Sequence, residues 1–230
     1  MAQPTAPSIG LRFENIDKRF GGLYALRRLT LEIAPGECVA LAGRNGSGKT
    51  TLLRVAARLV RPTHGTVTYT GDEKSRARIG FVAHSTMAYD ELTAQENLTL
   101  FAKLQGVENA AERVSRLLEE VGLSERRNSL VRTFSRGMRQ RVAIARALLH
   151  APSILLFDEP ATGLDPEGVS WLAGTLRNLR DAGCTVVMSV HGESEVAALA
   201  TRAVRLEAGR VAADTRTGAK TSAILRFADE

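Results

Sequence analysis

The chain has 230 residues, 44% of them hydrophobic and 24% charged, which suits one folded domain with a sizeable core and excludes a disordered or fibrous protein. Its net charge of +6 comes from scattered arginines, some of them in Glu-rich stretches such as 112–127 that read as a solvated helix face, so no nucleic-acid partner is expected. No apolar run reaches the ~18 residues that cross a bilayer, and the first ten residues lack the apolar centre of a signal peptide, so a cytoplasmic protein is expected.

Residues 1–8 are expected to be disordered, ahead of a single domain over 9–230. Residues 11–15 and 29–33 alternate apolar and polar, as half-buried strands do. Pro35-Gly36-Glu37 turns the chain into an apolar strand, 38–42, that feeds the run Gly43-Arg44-Asn45-Gly46-Ser47-Gly48-Lys49-Thr50. This run fits the phosphate-loop pattern G-x-x-x-x-G-K-[ST], with a helix following from about 49 to 60. The glycines let backbone N–H groups wrap a polyphosphate, and the helix start adds the positive end of its dipole. Lys49 would reach the β and γ phosphates, and Thr50 would offer a hydroxyl to Mg²⁺. The candidate nucleotide contacts are Gly43, Asn45, Gly46, Ser47, Gly48, Lys49, Thr50 and Thr51.

A turn at 62–65 and strands at 66–70 and 78–83 come next. From about 92 to 150 the apolar spacing is helical and no strand is convincing, which predicts a helical subdomain over about 86–150 within a core of 9–85 and 151–230. The core resumes with buried strands at 153–157 and 184–190, separated by a helix over 166–180. Segments 204–206, 210–213 and 223–227 read as edge strands. Alternating strands and helices predict an α/β fold with a largely parallel sheet. Cys38 and Cys184 fall in buried strands without metal-ligand spacing and read as small core residues of a reducing compartment.

Asp158 and Glu159 close the strand at 153–157, at the sheet edge where α/β folds bind ligands. Asp158 suits a Mg²⁺ ion through its water shell, and Glu159 suits general-base work on a water; a helix-capping pair before Pro160 is the plainer alternative. His191 ends the next strand, where it would bond the γ-phosphate and position the water, although a lone histidine is more often structural.

The run FSRGMRQRVAIARALLHAPSILLFDEPATGLDP resembles the ABC (ATP-binding cassette) ATPases, in which a signature segment precedes the Walker B strand and the D-loop. The resemblance extends from about residue 9 to 209, with the motifs in family order. It implies a P-loop NTPase core with a mainly parallel sheet, antiparallel β edge strands and an inserted helical subdomain. It also implies ATP and Mg²⁺ as ligands, and a homodimer that sandwiches two ATP molecules. By the same resemblance Ser135 and Gly137 touch the γ-phosphate bound by the other copy, Asp165 couples the two sites, and Phe20 stacks on adenine. The free N–H groups at the start of the helix after Ser135 give that trans contact a physical basis.

Two motifs depart from the family pattern. Arg136 and Met138 replace a glycine and a glutamine of the signature, and Arg136 either adds charge near the nucleotide or faces solvent. His84 stands where a glutamine is usual; it either bonds a metal-bound water or packs at the subdomain hinge, since Mg²⁺ prefers oxygen ligands. Residues 85–97 are expected to form a groove for a helix of a separate integral membrane subunit. The chain would then act at the cytoplasmic face of a bacterial inner membrane. Within the family, His84, YDELTAQENL and FSRGMRQRVAIARALLH look most like the haem exporter ATPase of cytochrome c maturation. Another small export cassette (for a drug, lipid, ion or polysaccharide), or an ABC ATPase acting on ribosomes or DNA, is the alternative.

Overall fold

The computed structural model describes residues 9–70, 78–83, 85–192, 194–218 and 221–226. In chain order these form β1 (Gly10–Phe20), β2 (Leu23–Ile33), β3 (Cys38–Ala42), α1 (Lys49–Ala56), β4 (His64–Thr70), β5 (Ile79–Val82), α2 (Ala94–Leu104), α3 (Ala110–Glu120), α4 (Arg136–Leu148), β6 (Ile154–Phe157), α5 (Pro166–Asp181), β7 (Thr185–Ser189), β8 (Arg202–Glu207), β9 (Arg210–Asp214) and α6 (Thr221–Arg226). Strands β2-β1-β4 make an antiparallel sheet, and β5-β6-β7-β3-β8-β9 make a second sheet that is parallel except for β9.

The parallel sheet lies between two apolar layers, which is why β3, β6 and β7 are buried along their whole length. Alternate residues of β3 serve opposite faces. Val39 and Leu41 join Leu52, Leu53 and the inner side of the antiparallel sheet. Ala40 and Ala42 join Leu98, Leu117, Ile144 and Leu172 from the helices. Helices α2 to α4 follow β5 and precede β6. Thr93 caps α2 in a reciprocal pair with Glu96, and Ser135 caps α4 by accepting from the Met138 amide at 3.2 Å.

The predicted α/β class holds, and four element readings need correction. Strand β8 is not an edge, because it lies between β3 and β9, leaving β9 as the antiparallel edge. Segment 223–227 is not a strand: up to Arg226 it belongs to the short helix α6, whose Ile224 and Leu225 are buried, and Phe227 lies outside the described residues. A short apolar run carries too little periodicity to separate the two states. Helix α1 stops at Ala56 instead of about 60, as Arg58 adopts a φ of 60° that no helix tolerates. Strands β1 and β2 run longer than the alternation suggested, because register shifts near Asn15 (φ 49°) break the period of two. Cys38 and Cys184 are buried, and burial pushes their thiols up to about 11 and about 12, so both remain unionised core groups.

Candidate active site

Strands β3, β6 and β7 run parallel, so their C-terminal ends meet along one edge. The loop after β3 depends on glycine at two crowded places. A β-carbon on Gly43 (φ 137°) would lie 2.3 Å from the Leu206 carbonyl oxygen, and one on Gly48 (φ 108°) 2.6 Å from that of Ala25. The loop is pinned from outside by the Gly209 amide, which donates to the Ser47 carbonyl at 3.0 Å. Lys49 is 5% exposed. Its ammonium group donates to the carbonyls of Gly43 and Arg44. Burial lowers its pKa, against the opposing pull of Glu159 and Asp158.

One oxygen of Asp158 organises the next strand end. It accepts from the Thr50 hydroxyl at 2.9 Å and from the Ser189 hydroxyl at 3.0 Å. Ser189 in turn accepts the Glu159 amide at 2.8 Å. Glu159 sits at φ 53°, a left-handed turn that ends the strand and swings its carboxylate toward β7. There its Oε1 lies 2.6 Å from His191 Nε2. In the loop itself the Ser47 hydroxyl is buried with no hydrogen-bond partner among the described residues. The oxygens of Thr50 and Asp158, 2.9 Å apart, are hard donors that suit a divalent cation such as Mg²⁺.

Phe20, half exposed at the β1–β2 turn, forms the rim of a cradle of about 240 Å³ lined also by Asn45, Ser47, Lys49, Thr51 and Glu159. The Lys18 ammonium lies 4.9 Å from the Phe20 ring centre. The fold thus brings together Phe20, Gly43 to Thr51, Asp158, Glu159 and His191 around one sheet edge. Ser135, Gly137 and Asp165 are elsewhere. With Met138, Leu164 and Trp171 they line a second hollow that shares no residue with the cradle. Asp165 caps α5 by accepting the Gly168 amide at 2.8 Å. His84 lies outside the described residues.

Sequence reasoning passed over Ser189 and Gln140. Ser189 is a polar residue inside a wholly buried strand, and that position alone demands a partner. Gln140, on the buried side of α4, donates to the Pro160 carbonyl at 3.2 Å and ties the signature helix to the turn after Glu159.

A phosphate loop opening a helix, with carboxylates at the end of a parallel strand in the same sheet, defines a P-loop nucleoside triphosphatase. Residues 26–162 match the family model described as ABC transporter; the chain belongs to that family and is an ATP-hydrolysing subunit of an ABC transporter. It is 36% identical over 212 residues to the Nod factor export ATP-binding protein I of Cupriavidus metallidurans, covering 89% of this chain and 70% of that one. It is 38% identical over 220 residues to the L-cystine transport system ATP-binding protein TcyN of Escherichia coli, covering 87% and 88%. Among solved structures, the ATP-binding cassette MJ0796, a dimer in a post-hydrolysis state bound to ADP and Pi, superposes with a TM-score of 0.79 at 31% identity, covering 89% of this chain and 97% of that one.

Proposed function

We propose that two copies of this chain close on two ATP molecules, each copy supplying the cradle for one and the signature face for the other, and that this closure drives export through separate membrane subunits. The observation that carries the reading is the separation of the cradle from the hollow at Ser135 and Gly137 within one chain. A second copy supplies the missing half, as the dimeric state of the MJ0796 cassette suggests. Gly137 leaves room for it: among the described residues beyond its neighbours and its own helix backbone, a β-carbon there would meet nothing closer than 3.9 Å.

In this reading Phe20 stacks on the adenine and the loop amides from Gly43 to Thr51 take the phosphate oxygens. Lys49 trades its own carbonyls for the β and γ phosphates. Thr50 and Asp158 would hold Mg²⁺, which when bound neutralises charge on those phosphates. Glu159 takes the proton of the attacking water, and His191, already bonded to Glu159, holds it in line and reaches toward the γ-phosphate. The partner copy's signature turn, with Ser135 and Gly137, covers the γ-phosphate, and Asp165 carries strain from one site to the other. Loss of the γ-phosphate removes the shared contact, and the pair loosens. Residues 9–85 and 151–230 act as the core and about 86–150 as a lobe that moves with the signature. No described helix is long and apolar enough to cross a membrane. The segment 85–97, with Met87 and Tyr89 more than half exposed, would receive the membrane subunit's helix at the cytoplasmic face of the bacterial inner membrane.

Replacing Glu159 by Gln should leave ATP binding intact and lower steady-state hydrolysis by at least about a hundredfold. Unchanged turnover in Glu159→Gln would sink the assignment of the base. For cargo, the narrower reading is haem export in cytochrome c maturation, resting on the resemblance of His84, YDELTAQENL and the signature run. The Nod factor relative favours a second reading, a small export cassette with another cargo. Turnover of the reconstituted complex, measured with and without haem, separates them: stimulation by haem supports the first, and indifference to haem with a response to another amphiphile supports the second. Recovery of ribosomes or DNA in place of membrane subunits from a detergent pull-down would overturn both.

A further inference from the structure

Arg136 opens α4, a position where the positive end of the helix dipole disfavours a cation, and no acidic residue in the first turn compensates. Its side chain is nevertheless well placed. A β-carbon built on Gly163 would lie 2.5 Å from both Cζ and Nε of Arg136 and 2.7 Å from Nη1. The guanidinium therefore lies flat over the bare backbone of Gly163, in a space that only glycine leaves open. Gly163 also has a φ of 73°, so the turn it belongs to is already the conformation that glycine favours.

That turn begins at Glu159. The Thr162 amide donates to the Glu159 carbonyl at 3.2 Å, and the Leu164 amide donates to that of Ala161 at 3.2 Å. Gln140, one turn along α4 from Arg136, holds the Pro160 carbonyl from the same helix face. The first two turns of the signature helix thus grip the 159–164 turn at two points, one by a hydrogen bond and one by a planar stack.

We propose that Arg136 is a positioning residue: stacked on Gly163, it fixes the turn that sets the Glu159 carboxylate, and so couples the signature end of a chain to the general base of that same chain. The inference rests on the reading of Glu159 as the base. It assigns Arg136 to packing within its own chain, as opposed to charge contact with a nucleotide. A planar guanidinium is required, and a lysine ammonium does not replace it.

The test compares Arg136→Ala, Arg136→Lys and Gly163→Ala with the parent protein. The two Arg136 variants, altered at an exposed side chain, should fold normally and lose about tenfold or more in kcat with little change in KM for ATP. Gly163→Ala should behave alike, and its effect should shrink in the Arg136→Ala background, where the guanidinium no longer stands in the way of the new methyl. If Arg136→Lys keeps parental kcat, or if Arg136→Ala raises KM with kcat intact, the residue acts as a charge on the nucleotide and the proposal is overturned. Parental behaviour of all three variants overturns it equally. Amide hydrogen exchange of the nucleotide-free protein reads the contact without turnover. Faster exchange at Thr162 and Leu164 in both Arg136 variants is expected, and unchanged exchange overturns the proposal even if Glu159 proves not to be the base.

Discussion

A single carboxylate oxygen of Asp158 accepts hydrogen bonds from the hydroxyls of Thr50 and Ser189, and this small knot joins the start of α1 to the ends of β6 and β7. Ser189→Ala should leave the Glu159 amide without its acceptor, costing about 1–3 kcal/mol in denaturant unfolding and lowering turnover as Glu159 loosens. Lys49→Ala should weaken ATP binding by about 1.5–3 kcal/mol, tenfold to a hundredfold in Kd by calorimetry, through loss of a charged donor. The phosphate loop was legible because its glycines and lysine are contiguous and their spacing encodes the backbone path. Ser189 was not, since its partner is fixed by the register of β7 beside β6, a relation across 31 residues that no local pattern carries.

At the scale of elements, helix ends and helix faces decide what the loops can do. Asn97 on the buried face of α2 donates to the carbonyls of Tyr89 and Thr93 at 3.0 Å and of Leu92 at 3.3 Å, while accepting the Tyr89 amide at 2.8 Å. Asn97→Ala should cost about 1–3 kcal/mol and speed exchange of the 89–93 amides, because buried backbone groups lose their partner. His150 follows α4 with Nδ1 buried and without a hydrogen-bond partner among the described residues. Burial lowers its pKa, with Arg78 and Arg113 adding to the effect and a bond to the Ile79 backbone opposing it. The unfolded chain therefore takes up this proton first as pH falls. Stability from His150 is full above the ordinary histidine range and is lost as pH drops below it toward the depressed folded value. Melting curves across that range should slope more steeply for the parent than for His150→Gln. The helices themselves could be read from their periodicity, whereas nothing in that periodicity marks Asn97 as the anchor of the preceding loop.

Across the molecule, one arginine fastens the two sheets. Arg202 of β8 donates to Asp214 at the end of β9 through two nitrogens, to the Glu32 carbonyl of β2 at 2.7 Å and to Glu37 at 3.2 Å. Burial alone would raise the Asp214 carboxyl, but the bonds from Arg202 and the Arg216 amide outweigh it and hold it below the usual range. Arg202→Met should leave the Asp214 carboxylate without its ion-pair partner and cost about 3–5 kcal/mol, seen as a lower urea midpoint at unchanged slope. The layered α/β plan could be foreseen from alternating strands and helices. The inner place of β8 and the helical form of α6 could not, because both follow from what packs beside them.

The two hollows that have no residue in common lead to an experiment on mixtures. Take one protein crippled at Glu159 and another crippled at Ser135, each silent alone. In every hybrid couple one pocket gathers both faults and the other none. Random pairing of equal parts should then restore about a quarter of normal ATP turnover, since half the couples are hybrids and each keeps one of its two pockets. A polypeptide that completed its own pocket would give no such rescue.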